Sequence, residues 1–154
     1  MASAALRLWT RFGGSAPGRW LFSRLICFRA PYFGSIAPSI VALEPGQCVV
    51  RIVDRRRVHN HIGTVHAIAL CNMAELAAGL ATDAALPESM RWIPKGMSVR
   101  YLRKASGMMT ATARVPIPAE SGEGFESHAI VEVRNEADEI VFDADITMWI
   151  SPRK

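Results

Sequence analysis

Between His59 and Glu75 the chain gathers most of the side chains able to do chemistry. The run His59-Asn60-His61-Ile62-Gly63-Thr64-Val65-His66-Ala67 brings together three imidazoles, an amide and a glycine, and Glu75 follows nine positions after His66. Three histidines near Cys71 invite a metal site, but the spacing supplies no Cys-x-x-Cys pair and no further ligands, so none is expected. Glu75 stands in an almost wholly apolar stretch. A carboxylate there is expected to be desolvated, which suits a general base. On a helix turning about 100° per residue, His66 and Glu75 lie about 180° apart and cannot serve one site in one chain. A site shared between two subunits removes that difficulty. Each residue also has a structural alternative: an interface carboxylate for Glu75, a loop cap for Asn60, and a backbone-satisfied helix-start residue for His66.

The elements that must position these residues are legible as patterns. Val65–Asp83 contains no Pro and one internal Gly, Gly79, and is rich in Ala, Leu and Met. Its apolar residues run nearly all round, which predicts a buried helix of roughly 28 Å, with Thr64 as N-cap. Before it, Ser39–Leu43 and Cys48–Asp54 are apolar, β-branched runs flanking Glu44-Pro45-Gly46-Gln47, the chemistry of a hairpin turn. Arg55–Gly63 reads as a polar, basic loop. After the helix, period-two alternation marks four strands, around 97–102, 108–115, 128–134 and 140–150. Ala105-Ser106-Gly107 and Asn135–Asp138 are expected to join them into two pairs, with 116–124 as a longer exposed connection. Met73, Met97, Met108 and Met109, with Trp92 and Trp149, read as packing residues.

Two strands, one helix apolar on every side and four further strands form an α+β chain in which a single sheet must wrap the helix. That is the hotdog architecture, expected as one domain over 1–154, with a helical segment at 1–35 and the core at 36–150. A sheet with open edges predicts association with a second copy, as a dimer or a dimer of dimers. Here the sequence resembles the acyl-CoA thioesterases of the hotdog superfamily, in particular the PaaI-like branch. Asn60, Gly63-Thr64-Val65-His66 and Glu75 match that branch's motif without gaps. The resemblance implies a thioester hydrolase whose substrate carries coenzyme A, with no separate cofactor. It implies that Asn60 and the backbone N–H groups at the helix start, among them that of Ala67, polarise the carbonyl, with His66 as a further catalytic candidate. It implies too that Glu75 of the other subunit activates water or attacks directly. Gly63 and Thr64 would lie against the substrate, and Arg57, Lys95 and Arg103, with Arg55, Arg56, Arg91, Arg100 and Lys104, would hold its phosphates. The chain departs from the motif at Val58, where a His is common, at Ala67-Ile68, where Gly-Gly is usual, and at Glu75, where Asp is common.

Composition narrows the remaining classes. Half the residues are hydrophobic and 21% are charged, which excludes a disordered chain, a coiled coil and a disulfide-stapled mini-protein. No apolar run reaches the ~18 residues of a membrane span. Three cysteines, an odd number without a Cys-x-x-Cys, suggest a reducing, cytoplasmic setting. Charge is uneven: residues 1–57 carry nine Arg, no Lys and two acids, whereas 105–154 carry four bases and nine acids. The acid-free start could be a transit peptide or a basic arm for nucleic acid or a membrane surface. Its spread-out Arg residues and its apolar content favour instead two short helices, broken at Gly13–Pro17, that pack on the domain. Nucleic acid is not expected, because the acidic second half leaves no broad basic face with stacking aromatics. Two further readings remain: a hydratase of the same fold, disfavoured because no Pro lies between His61 and Glu75, and a non-catalytic acyl-CoA binding protein.

Overall fold

The computed structural model describes residues 3–153. Two helices open the chain, α1 (Ala4–Phe12) and α2 (Ala16–Arg29), each capped by a serine. The Ser3 hydroxyl accepts from Leu6 N–H at 3.2 Å and Ser15 from Gly18 N–H at 3.2 Å. A short 3-10 segment, Pro31–Ile36, leads into strands β1 (Ser39–Glu44) and β2 (Gln47–Ile52). Then come helix α3 (Ala67–Ala85) and strands β3 (Met90–Tyr101), β4 (Met109–Arg114), β5 (Phe125–Arg134) and β6 (Ile140–Pro152). The six strands form one sheet in the order β1-β2-β4-β5-β6-β3, and every pair is antiparallel.

The alternation along the strands sets one face of the sheet against α3. Met109, Ala111 and Ala113 of β4, Ala129, Val131 and Val133 of β5, and Phe142, Ala144, Ile146 and Met148 of β6 all point into the core. They meet Leu70, Met73, Ala74, Ala77 and Ala81 of α3 in one hydrophobic cluster, which Phe22 of α2 joins. The opposite face of the sheet carries Glu126, His128, Glu132, Asp143 and Asp145, as a half-wetted antiparallel sheet requires.

Three expectations are corrected. The helix starts at Ala67, not Val65, and its N-cap is His66, not Thr64. Tertiary contacts hold the preceding residues extended: Val65 N–H donates to Ala105 O at 2.8 Å, and His66 N–H to Val58 O at 2.7 Å. The third and fourth strands are not a hairpin pair. β3 runs alongside β6, while β4 lies between β2 and β5, so 102–108 is a crossover. β3 also begins at Met90, seven residues before its alternation becomes visible, because Pro94 and a bulge at 94–96 interrupt the pattern. A proline fits there because β3 is an edge strand.

The sheet covers only part of α3. The 3-10 segment and α1 contact its other side, and Trp92 of β3 closes over Gly79. A Cβ at position 79 would sit 2.7 Å from the Trp92 ring, so this helical glycine is what lets the indole approach. Ala67, Ile68, Cys71, Glu75 and Asp83 remain partly or fully open. Gly79→Val is therefore expected to lower stability by about 1–3 kcal/mol through overpacking against Trp92. An unchanged urea midpoint would show that the indole is not seated on the helix.

Candidate functional site

The loop before α3 is organised by the Asn60 side chain. Its Oδ1 accepts from Ile62 N–H at 3.1 Å and Thr64 N–H at 3.1 Å, and its Nδ2 donates to Thr64 Oγ1 at 2.8 Å. Gly63, with φ of 77°, supplies the left-handed residue that closes the turn. One amide hydrogen of Asn60 remains for a ligand, while Thr64 is bound up within the loop. His59 and Asp54 pin the loop from behind: His59 Nε2 bonds one Asp54 oxygen, and the other accepts from Gly107 N–H at 2.7 Å. Burial pushes the Asp54 carboxyl up, but the Gly107 bond and the bond and charge of His59 outweigh it and hold the group below the usual carboxylate range.

At the start of α3, His66 Nδ1 accepts from Ile68 N–H at 3.0 Å. This bond assigns the imidazole proton to Nε2, which points outward as a donor. Ala69 N–H and Leu70 N–H both turn back to His66 O. Ala67 N–H has no hydrogen-bond partner among the described residues. The helix therefore presents one free backbone donor at its positive end, flanked by an exposed imidazole. His66 and Arg57 share the wall of a small cleft of about 180 Å³ with Tyr32 and Ile68.

Glu75 faces a different space. A cavity of about 650 Å³ lies between α1, α2, α3 and the start of β3, and Glu75 lines it with Leu76, Gly79, Leu80, Leu25, Ile26, Phe33, Leu86 and Trp92. Charged groups, among them Arg7, Glu88, Asp83, Arg29 and Arg153, also belong to its wall, and Arg7 forms an ion pair with Glu88. One chain thus keeps the His66 imidazole and the Glu75 carboxylate in separate pockets, displaced along α3; because His66 is an extended cap and not a helical residue, the expected 180° separation round the helix does not describe the pair.

Lys95, Arg100 and Arg103 of the sequence reading are engaged by acids on or beside the outer face of the sheet. Lys95 reaches Glu126 at 2.7 Å across the ring of Trp149, and Arg103 lies 3.8 Å from Glu139. Arg100 makes a two-pronged pair with Asp143 at 2.9 and 2.5 Å. Neither Lys95 nor Arg103 lines a pocket with Arg57. Two polar contributors escaped sequence reasoning. Asp54 stood at the end of an expected strand; its one signal was to be the last acid before Glu75. Asn72, buried in α3, donates to Ser35 Oγ at 3.1 Å, and nothing in the sequence linked those positions. Among the described residues, no group of three or more His, Cys, Asp and Glu side chains converges, and all three cysteines are free thiols.

A curved antiparallel sheet in this order around one long helix is the fold of the hotdog thioesterases. Thioesterase HI1161 from Haemophilus influenzae superposes with a TM-score of 0.72 at 18% identity, over 83% of this chain and 87% of that one. PA5026 from Pseudomonas aeruginosa gives 0.77 at 22% identity, over 85% and 93%. A structural-genomics target, APC5556, is nearer in sequence, at 43% identity over 97% of this chain and 98% of that one, with a TM-score of 0.83. No curated protein matches the sequence. The family described as "Domain of unknown function (DUF4442)" matches residues 18–150, and the chain belongs to it.

The Asp54–His59 pair gives a pH signature. A carboxyl whose folded pKa is depressed contributes stability above its unfolded value, near 4, and loses it as pH falls through the folded value. Asp54→Ala should cost about 2 kcal/mol at pH 7. The gap to wild type should close on acidification below about pH 4, read as melting temperatures across a pH series. A gap independent of pH would remove the charge from the account.

Proposed function

We propose that this protein hydrolyses acyl thioesters at a site shared by two copies of the chain. Glu75 carries the reading. It is the mid-helix acid in an apolar helix, and it lines a mostly apolar cavity large enough for an acyl group, while neither Asn60, His66 nor Ala67 of its own chain lines that cavity. β3 is a twelve-residue edge strand with Ile93 and Tyr101 exposed. Beside it runs the open stripe of α3, where Cys71 Sγ lies 3.3 Å from Tyr101 Oη. Pairing two such edges would remove both from solvent and bring a second α3 to the first.

In the assembled site the thioester carbonyl oxygen would accept from Ala67 N–H, with Asn60 Nδ2 and His66 Nε2 as neighbouring donors. The partial positive charge of the helix start would stabilise the oxyanion as it forms. Glu75 of the other copy would take a proton from water as the water oxygen attacks the carbonyl carbon. Collapse of the tetrahedral intermediate would break the C–S bond, and the departing thiolate would take up a proton, giving a free carboxylic acid and a thiol. The acyl group would extend into the apolar cavity, and Arg57, beside His66, would be placed for the phosphates of a coenzyme A carrier. A cytoplasmic setting suits such a substrate and three unpaired thiols.

A thiol-release screen over acyl-CoAs of different length and aromaticity should find turnover. Glu75→Gln should lower it by about 100-fold or more with the assembly intact, and unchanged turnover would sink the assignment. Ala67→Pro deletes the one free N–H at a helix position that tolerates proline. It should lower kcat about 100-fold without unfolding the chain. Chains carrying Glu75→Gln alone and Ala67→Pro alone, co-assembled, should regain activity, because one of the two sites then holds both intact groups. Absence of complementation would place both groups in one chain's site.

A further inference from the structure

Helix α2 is apolar on two opposite faces, and the fold uses one of them. Phe22, Ser23 and Cys27 turn inward and are buried, with Ile26 packed beside them. Ser23 fixes this orientation, its hydroxyl accepting from Ile40 N–H at 2.9 Å and donating to Arg19 O at 2.8 Å. About 180° away round the helix stand Leu21, Leu25 and Phe28, with Trp20 on the flank between the two faces. Trp20 is 64% exposed and Phe28 88%, and Tyr32, just beyond the helix, extends the patch at 71%. The sequence expectation that the N-terminal apolar residues all pack on the domain therefore holds for half of them. Phe28 and two leucines on the outer face, with exposed Trp20 on its flank and Tyr32 beyond its end, form a patch larger than scattered surface apolar residues require.

The surroundings of this patch are basic. No acid precedes Glu44 in the chain. Arg11 and Arg29 are exposed on the helices, and Tyr32 shares its cleft with Arg57. Arg55 holds the Arg55–Arg57 loop to this side through Ile36 O at 3.4 Å. Of the carboxylates on this side, Asp54 is engaged by His59 and Gly107 and Glu88 by Arg7, while Glu75 and Asp83 line the cavity next to Leu25 and Arg29. A second copy docked through the same face would oppose like charges, since a two-fold contact sets each patch against itself.

We propose that the outer face of α2, with Tyr32 and the flanking arginines, docks on an anionic lipid surface. Aromatic side chains would enter the interfacial zone while guanidinium groups meet headgroup phosphates. The helix would lie on the bilayer, since no helix among the described residues is long and apolar enough to cross one. Leu25 and Arg29 also line the Glu75 cavity, so the docked face and the cavity share a wall. The docking does not depend on the hydrolase reading.

The test is flotation of the full chain with vesicles of phosphatidylcholine alone and of phosphatidylcholine mixed with phosphatidylglycerol. Binding to the mixed vesicles, weakened by salt, is expected. Trp20→Ser/Phe28→Ser should weaken it by about tenfold or more, with an unchanged melting temperature because both side chains lie outside the core. Failure to bind anionic vesicles, equal binding to both vesicle types, or full binding by the double variant would overturn the proposal. So would a change in the double variant's mass in solution, which would assign the face to contact between copies.

Discussion

The structure depends on covering α3. A nineteen-residue helix built mainly of Ala, Leu and Met has no face that prefers water. A flat sheet could shield only one side of it. The sheet therefore curls, with its ends at β1 and β3, and the remaining faces are met by the 3-10 segment, by α1 and by the Trp92 indole seated on Gly79. The stripe left open is also where the helix keeps its two acids, Glu75 and Asp83. Burying an unpaired carboxylate would cost far more than burying another alanine returns. The incompleteness of the helix's cover is what gives the chain a carboxylate facing a cavity.

The lopsided charge of the sequence resolves into two separate uses. Acids of the second half stand on the outer face of β5 and β6 and in the loop between them, where Lys95, Arg100 and Arg103 reach them from β3 and its following loop. These exposed pairs contribute little stability each, but they occupy cations that could otherwise have bound a ligand. Of the N-terminal arginines, Arg7 pairs with Glu88, whereas among the described residues Arg11, Arg19, Arg24 and Arg29 form no ion pair, so the first third of the chain keeps a basic surface. That surface borders the aromatic face of α2 and the walls of both pockets.

Local patterns carried much of the architecture. The Pro45-Gly46 turn, the break between α1 and α2, the buried helix and the inward faces of four strands all follow from periodicity and turn chemistry acting over a few residues. The start of α3 did not, because Val65 and His66 are held extended by Val58 and Ala105, residues their own neighbourhood does not reveal. Nor did the partner of β3, since a short link such as Ala105-Ser106-Gly107 suits a hairpin and a crossover equally well. Asn60, Gly63, His66 and Glu75 were legible as candidates by type and spacing. That Asn60 spends most of its amide on its own loop, and that His66 caps the helix, could not be read from spacing.

By itself the sequence determined that one helix must be enclosed by one antiparallel sheet, and which residues of the strands turn inward. Both follow from repeat lengths fixed by backbone geometry. Tertiary structure alone decided which strands pair, that Ala67 retains a free N–H, that the N-terminal helices wall a cavity beside Glu75, and that one apolar face of α2 stays uncovered. Those outcomes depend on contacts between residues far apart in the chain, where burial and hydrogen bonding, not local propensity, choose among patterns that are locally equivalent.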